Sequence, residues 1–204
     1  MKLIRIQPQG NFMVNSYLVI SNENNAVLID APVGADKILK IASDNGVKIK
    51  KILITHGHCD HIESLAKIAD TCNALVYIHT NDAPMLTDAK MNLSSMLAPY
   101  LHNRAVSEYD KAICINDNDI ITLDELSFKV LHTPGHSSGC VCYIIDDIIF
   151  SGDTLFNMSI GRTDFAGSDS AVMQKTLEML YNFKGEYDDY KIFAGHGDET
   201  TLAY

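Results

Sequence analysis

Long apolar runs are what this chain most visibly lacks. No stretch approaches the roughly 18 uncharged apolar residues of a membrane-spanning helix, so no membrane partner is expected. Nor does the chain open as a secretion leader. Lys2 and Arg5 sit among alternating apolar residues, and no apolar core with a small-residue cleavage site follows them. A cytoplasmic location is the expectation. Cysteine is scarce and unpatterned: Cys59, Cys72, Cys114, Cys140 and Cys142 are odd in number and lack zinc-finger spacing, which argues against a disulfide framework. Basic charge is also short. With 16 Lys and Arg against 26 Asp and Glu the net charge is −10, and long-range repulsion argues against nucleic acid or anionic lipid as a partner. No repeated heptad announces an interface between copies, so the oligomeric state is left open.

What is present is an ordinary globular composition, 47% hydrophobic and 21% charged, which excludes disorder and fibrous classes. A chain of 204 residues suits one domain spanning residues 1–204, with an internal duplication of two similar halves as the alternative. Apolar runs rich in β-branched residues at Leu3–Ile6, Ser16–Ile20 and Ala26–Ile29 read as an opening meander. Ile38, Leu39, Ile41 and Ala42 follow helical spacing and Gly46 stands where a helix end prefers glycine. A strand at Ile49–Ile54, an amphipathic stretch at Ile62–Ala69 and a strand at Leu75–Ile78 follow, a pattern suited to parallel pairing. Thr80–Asp110 is irregular and is expected to run over the surface, where such excursions often border binding sites. The second half repeats the scheme: strands at Ile120–Thr122, Ser127–Leu131, Cys140–Ile145 and Ile148–Phe150, with Asp146 and Asp147 in a hairpin turn. A helix capped by Asp169 or Ser170 and a strand at Lys191–Ala194 close it.

Directly after the strand at Ile49–Ile54 stands Thr55-His56-Gly57-His58-Cys59-Asp60-His61, three imidazoles and a carboxylate on one glycine-containing turn. A lone histidine is usually a surface residue or a satisfied core group; four donors in one turn reverse that expectation. Imidazole nitrogen and carboxylate oxygen are the usual ligands of catalytic zinc, and one rigid turn positions several of them with few backbone degrees of freedom. Thr133-Pro134-Gly135-His136, Ser151-Gly152-Asp153-Thr154 and Gly195-His196-Gly197 each again follow a strand and each deliver one further donor.

The remaining candidates are plainer. His79 and His102 are expected in solvent, and His132 at best supports His136 from behind. Cys59 is expected to be a non-ligand beside a full donor set, and Cys140 and Cys142 share one strand face as small buried hydrophobes. Arg162 is expected to anchor its loop through Asp164 or Asp169.

The four motifs, in order and at these separations, resemble the metallo-β-lactamase superfamily over almost the whole chain, and within it the glyoxalase II-like hydrolases. The segment Gly161-Arg162-Thr163-Asp164-Phe165 also resembles a stretch of those hydrolases and of related persulfide dioxygenases. The resemblance implies an α+β fold, a four-layer αβ/βα sandwich of two mixed β-sheets flanked by helices. It implies that His56, His58 and His136 hold one metal ion, that Asp60, His61 and His196 hold a second, and that Asp153 bridges both. The metals are two divalent ions, with zinc expected first and iron or manganese accepted by the same donors. A hydroxide bridging them would attack the carbonyl of a small-molecule substrate. Asp60 is the catalytic candidate as well, since its second oxygen can orient the nucleophile or pass a proton to the leaving group.

Fold and ligands do not choose the substrate in this superfamily. The implied activity is a binuclear thioesterase of glyoxalase II type on an acyl-thiol. The alternatives are a mononuclear iron persulfide dioxygenase or other redox member, and a lactone or other ester hydrolase. Gly195-His196-Gly197-Asp198-Glu199-Thr200-Thr201 retains a histidine for the second metal, which favours the two-metal hydrolase. Glyoxalase II enzymes carry a C-terminal helical segment with basic residues for the glutathione carboxylates, whereas this sequence stops at Tyr204, so a smaller or different thioester is expected.

Overall fold

Alternation along the strands decides the layering. The computed structural model describes residues 1–101, 106, 108–182 and 189–202. In β1 (Lys2–Ile6), β2 (Ser16–Ile20) and β3 (Asn25–Ile29) successive side chains point to opposite faces. Leu18, Ile20, Ala26 and Leu28 join one core, while Tyr17, Val19, Val27 and Ile29 join another. A strand buried on both faces has no polar side to show, which is why these segments read as continuous apolar runs.

The chain continues through α1 (Ala35–Asp44) and β4 (Lys48–Leu53), then α2 (Cys59–Ile62), α3 (Leu65–Cys72), β5 (Leu75–His79), α4 (Ser94–Leu97) and β6 (Ile113–Ile115). The first sheet has the order β1-β2-β3-β4-β5-β6. Its first three strands pair antiparallel and the rest parallel, as expected for β4 with β5. Ile38 and Ala42 of α1 and Leu65, Ile68 and Ala69 of α3 bury against its outer face.

The second sheet is built from β7 (Ile120–Leu123), β8 (Leu126–His132), β9 (Val141–Ile145) and β10 (Ile148–Gly152). After the hairpin β11 (Leu155–Phe156) and β12 (Ser159–Ile160), and α5 (Ser170–Asn182), it is completed by β13 (Lys191–Ala194) and β14 (Thr200–Thr201), in the order β14-β13-β10-β9-β8-β7. Only β10 and β13 pair parallel, so this sheet is mixed too. Phe128, Val130, Val141, Tyr143, Phe150 and Phe193 meet the inner face of the first sheet, and Leu180 of α5 packs on the outer face with Ile149 and Ile192. The layers run helix, sheet, sheet, helix, the expected αβ/βα sandwich. Asp169 caps α5 through its Oδ1, which accepts the amides of Ala171 and Val172.

Some elements were not legible beforehand. β6 offers only Ile-Cys-Ile, and β11, β12 and β14 are two residues each, too short for periodicity to register. The segment after His79 does not simply lie over the surface: Met85, Leu86, Leu93, Leu101 and Tyr109 are buried, Leu86 and Tyr109 in the core of the first sheet and Leu93 and Leu101 against Cys59. His102 of that segment lies outside the described residues.

Phe128, fully buried between the sheets, should be costly to truncate. Phe128→Ala is expected to lower the unfolding free energy by about 3–5 kcal/mol, while Met158→Ala, at a position 85% exposed, should shift it by less than about 0.5 kcal/mol. Urea unfolding followed by circular dichroism checks both.

Candidate metal centre

Strand ends of both sheets converge on one pocket. His56 follows β4, His58 precedes α2, and Asp60 and His61 ride on α2; His136 follows β8, Asp153 follows β10 and His196 follows β13. All seven residues singled out in the sequence are brought together. Their donor atoms fall into three groups, each within 4.8 Å: His56, His58 and His136; His56, His61 and Asp153; and Asp60, His61 and His196. The outer two groups are the two trios implied by the resemblance, and Asp153 lies between them. Its Oδ2 stands 3.5 Å from His136 Nε2 and 3.5 Å from His196 Nε2, and its Oδ1 3.3 Å from His61 Nε2.

Ring nitrogens divide cleanly between support and donation. His61 Nδ1 donates to Asp30 Oδ2 at 2.8 Å, and His136 Nδ1 donates to the Arg162 carbonyl at 2.8 Å, so each keeps Nε2 for the pocket. His58 turns Nδ1 instead, placing it 2.9 Å from His136 Nε2. His56 Nε2, His61 Nε2 and Asp153 Oδ1 are buried and make no hydrogen bond. Orphaned polar atoms of this kind cost free energy unless something compensates them, and a cation set among them does so. The donor set therefore fits divalent metal ions.

The electrostatics split the site. Burial, together with neighbouring imidazoles, drives His56 well below the ordinary histidine range and His58 down to about 3, so this half is held neutral and ready to ligate. Burial also opposes charge on His61, but Asp153, Asp30 and Asp60 outweigh it and raise its pKa well above normal. His196 is raised to about 9, burial being overcome by the nearby carboxylates of Asp153 and Asp60. In return the carboxylates of Asp153 and Asp60 stay ionised against burial, mainly through His61.

Three supporting residues went unnoticed in the sequence. Asp30, at φ 55, accepts the Thr55 amide and hydroxyl at 2.8 Å each while it holds His61. Asp82, fully buried, accepts the amides of Gly57 (2.9 Å) and Gly139 (2.6 Å) and the Ser137 hydroxyl (2.6 Å), tying two ligand loops to each other. Asn15 takes the third: its amide donates to the Gly195 carbonyl and its side chain to the carbonyls of Ala194 and Gly197, on either side of His196. Each is a single polar residue at a strand end or turn, which no local pattern distinguishes from a solvated one. Gly195 itself has to be glycine, since a β-carbon there would overlap Asp153 Oδ1 and come within 2.7 Å of His61 Cε1.

Other expectations need correction or gain a partner. His79 is buried, not solvated, and stacks on His132 at 4.1 Å and 9° between ring planes, because the ends of β5 and β8 face one another across the sandwich. His132 therefore does not support His136; its Nε2 lies 3.0 Å from the Ser138 carbonyl. Arg162 forks onto Asp164 at 2.9 and 2.8 Å and lies over Phe165, while Asp169 serves the helix. Cys59 packs with Leu93 and Leu101, and burial raises its thiol to about 12, so no thiolate competes for a metal. Cys140 and Cys142 are buried, as expected.

Comparison with known proteins gives the same answer as the site. The family model described as the metallo-beta-lactamase superfamily matches residues 10–196. The chain belongs to the metallo-beta-lactamase superfamily. Among curated members, it is 30% identical to the probable metallo-hydrolase YqgX of Bacillus subtilis, over 97% of this chain and 92% of that protein. It is 28% identical to the hydroxyacylglutathione hydrolase GloC of Haemophilus influenzae, over 98% and 92%. Among solved members, the BLEG-1 B3 metallo-beta-lactamase superposes with a TM-score of 0.89 at 30% identity, covering 99% of this chain and 95% of that one. TTHA1623, solved in a di-iron-bound form, superposes at 0.84 with 29% identity, covering 98% and 95%. Membership makes this chain a metallo-hydrolase by superfamily. None of its described helices is long and apolar enough to cross a membrane.

Asp30 should matter to metal retention without touching the metal. Asp30→Asn is expected to weaken metal binding by about 10- to 100-fold, read by competition with a chromogenic chelator. Asp82→Asn should place an amide donor against donors that now find an acceptor, lowering stability by about 1–3 kcal/mol in urea unfolding.

Proposed function

We propose that this superfamily member is a binuclear, glyoxalase II-like thioesterase that hydrolyses small acyl-thiol substrates, with zinc as its first-choice metal. The observation that carries the reading is the completeness of the donor set: two trios, His56, His58 and His136 against Asp60, His61 and His196, with Asp153 between them. The likeness to a hydroxyacylglutathione hydrolase along nearly the full length supports the thioester over other esters. Two divalent ions held by these residues would supply a water ionised near neutral pH and a Lewis acid for an acyl carbonyl.

The protein's own residues do the rest. A cleft of about 550 Å³ opens over the set, walled by Phe12, Leu93, Met96, Phe156 and Phe165, and these apolar walls exclude competing water. Asp60 reaches this cleft, with its Oδ2 3.6 Å from His196 Nε2, and is placed to take up a proton and return it to the departing thiolate. Asp30 keeps the His61 ring from turning, and Asp82 keeps the two ligand loops in register.

Elemental analysis of protein purified without added metal, paired with hydrolysis of S-lactoylglutathione and a simple thioester, tests the reading. Two metal ions per chain and activity that falls by about 10²-fold or more in His58→Ala are expected. One iron per chain, no hydrolysis, and oxygen consumption with a persulfide would overturn it.

A further inference from the structure

The carboxylate that ties the ligand loops is set in place by a histidine outside the metal site. His79 ends β5 and is buried, and its carbonyl accepts the Asp82 amide at 2.9 Å. Between them stands Asn81, whose amide donates to His79 Nδ1 at 3.2 Å and whose side chain donates to the Ser138 carbonyl at 3.1 Å. His132 Nε2 meets the same carbonyl at 3.0 Å, and its ring stacks on that of His79. Asp82 meanwhile takes the Ser137 hydroxyl and the Gly139 amide. Residues 137–139, directly after His136, are thus gripped one after another by the turn at 79–82.

The tautomers follow from elementary chemistry. A backbone amide can only donate, so His79 Nδ1 is the acceptor and the ring proton sits on Nε2. A carbonyl can only accept, so His132 carries a proton on its own Nε2. His79 therefore has one atom left to protonate, and it is the atom that holds Asn81. A proton there sets one N–H against another, and the amide must turn away from the ring. The fold opposes that proton. Burial lowers the His79 pKa to about 4, helped by the facing ring of His132 on β8 and opposed by Asp117 and Asp119 between β6 and β7. A histidine lowered from its ordinary value of about 6.5 keeps its contribution above that pH and loses it as the pH falls towards 4.

We propose that His79 is a positioning residue of the metal centre: with Nδ1 unprotonated it holds Asn81, and through the turn at 79–82 the residues that follow His136, whereas a proton on Nδ1 loosens that grip and speeds loss of the metal ions. The inference rests on the metal centre and not on which bond is cleaved there.

The test is the rate at which the zinc-loaded protein loses its metal to excess EDTA, from about pH 8 to about pH 4, in the wild type, His79→Phe and His79→Asn. Phenylalanine keeps a ring on His132 but neither accepts nor titrates, whereas asparagine offers Oδ1 in place of Nδ1 and takes up no proton. Protonation of the seven donors speeds release in all three proteins and cancels in their ratios. At about pH 8, His79→Phe should release zinc about tenfold faster than the wild type. Below about pH 6.5 the wild type should gain on both variants, by at most about tenfold per pH unit, until it matches His79→Phe. That convergence is read from two proteins alone, so it stands even if the asparagine variant does not fold. A wild-type to His79→Phe ratio that stays constant with pH means a packing role only and overturns the proposal. The histidine NMR spectrum of the zinc-loaded wild type gives a second reading, with His79 identified as the resonance missing from His79→Phe. An Nε2–H ring that stays neutral down to about pH 4 is expected; an Nδ1–H tautomer at neutral pH, or a midpoint near about 6.5, overturns the proposal. A chain that takes up no zinc overturns the metal centre and this role together.

Discussion

Seven donors pressed into one largely buried pocket desolvate one another, and the surrounding structure serves to hold them there despite that. His56 Nε2, His61 Nε2 and Asp153 Oδ1 have given up water without gaining a hydrogen bond, a cost that a cation set among them would offset. The same crowding explains the split in protonation. Burial, reinforced by facing imidazoles, drives His56 and His58 neutral, while at His61 and His196 facing carboxylates outweigh burial and drive the rings the other way.

That constraint is met by rigid supports in place of local loop chemistry. The donors stand at the ends of β4, β8, β10 and β13, strands from two different sheets, so their separations are set by how the sheets pack through Phe128, Tyr143 and Phe150. Buried phenols reinforce the join at the level of the site: the Tyr17 hydroxyl donates to the Ala194 carbonyl at 2.7 Å and the Tyr143 hydroxyl to the Ile54 carbonyl at 2.9 Å. Each of these carbonyls lies two residues before a donor, His196 or His56. The sandwich therefore acts as a jig, and Asp30, Asp82 and Asn15 are its pins.

The same arrangement separates what is shared across the superfamily from what is particular to this chain. Donors at strand ends are independent of what lies above them, which is why a B3 metallo-beta-lactamase and a hydroxyacylglutathione hydrolase can both resemble this protein. Selection of substrate falls to the walls, drawn from Phe12, the segment after His79, the β11–β12 hairpin and the Arg162–Phe165 loop. In those walls Arg162 is engaged by Asp164, and Phe12, Leu93, Met96, Phe156 and Phe165 give the cleft an apolar rim.

Much was legible before any coordinates. The donor motifs are local: His56 to His61 lie on one turn, and each further donor follows an apolar run whose strand character is visible in its β-branched residues. Those runs announce strands buried between layers, while their division into two sheets came from the family resemblance. Three things had to wait for the tertiary structure. One was the second half of each pairing across the sandwich, such as His79 on His132 or Asp82 on Gly139, partners more than fifty residues apart whose meeting depends on sheet packing. Another was the burial of Met85, Leu93 and Leu101 in a segment with no periodicity to announce it. The last was the cavity itself. Residue types and spacings determined which atoms can bind a metal; the space left beside those atoms is a property of packing, and only the folded chain decides it.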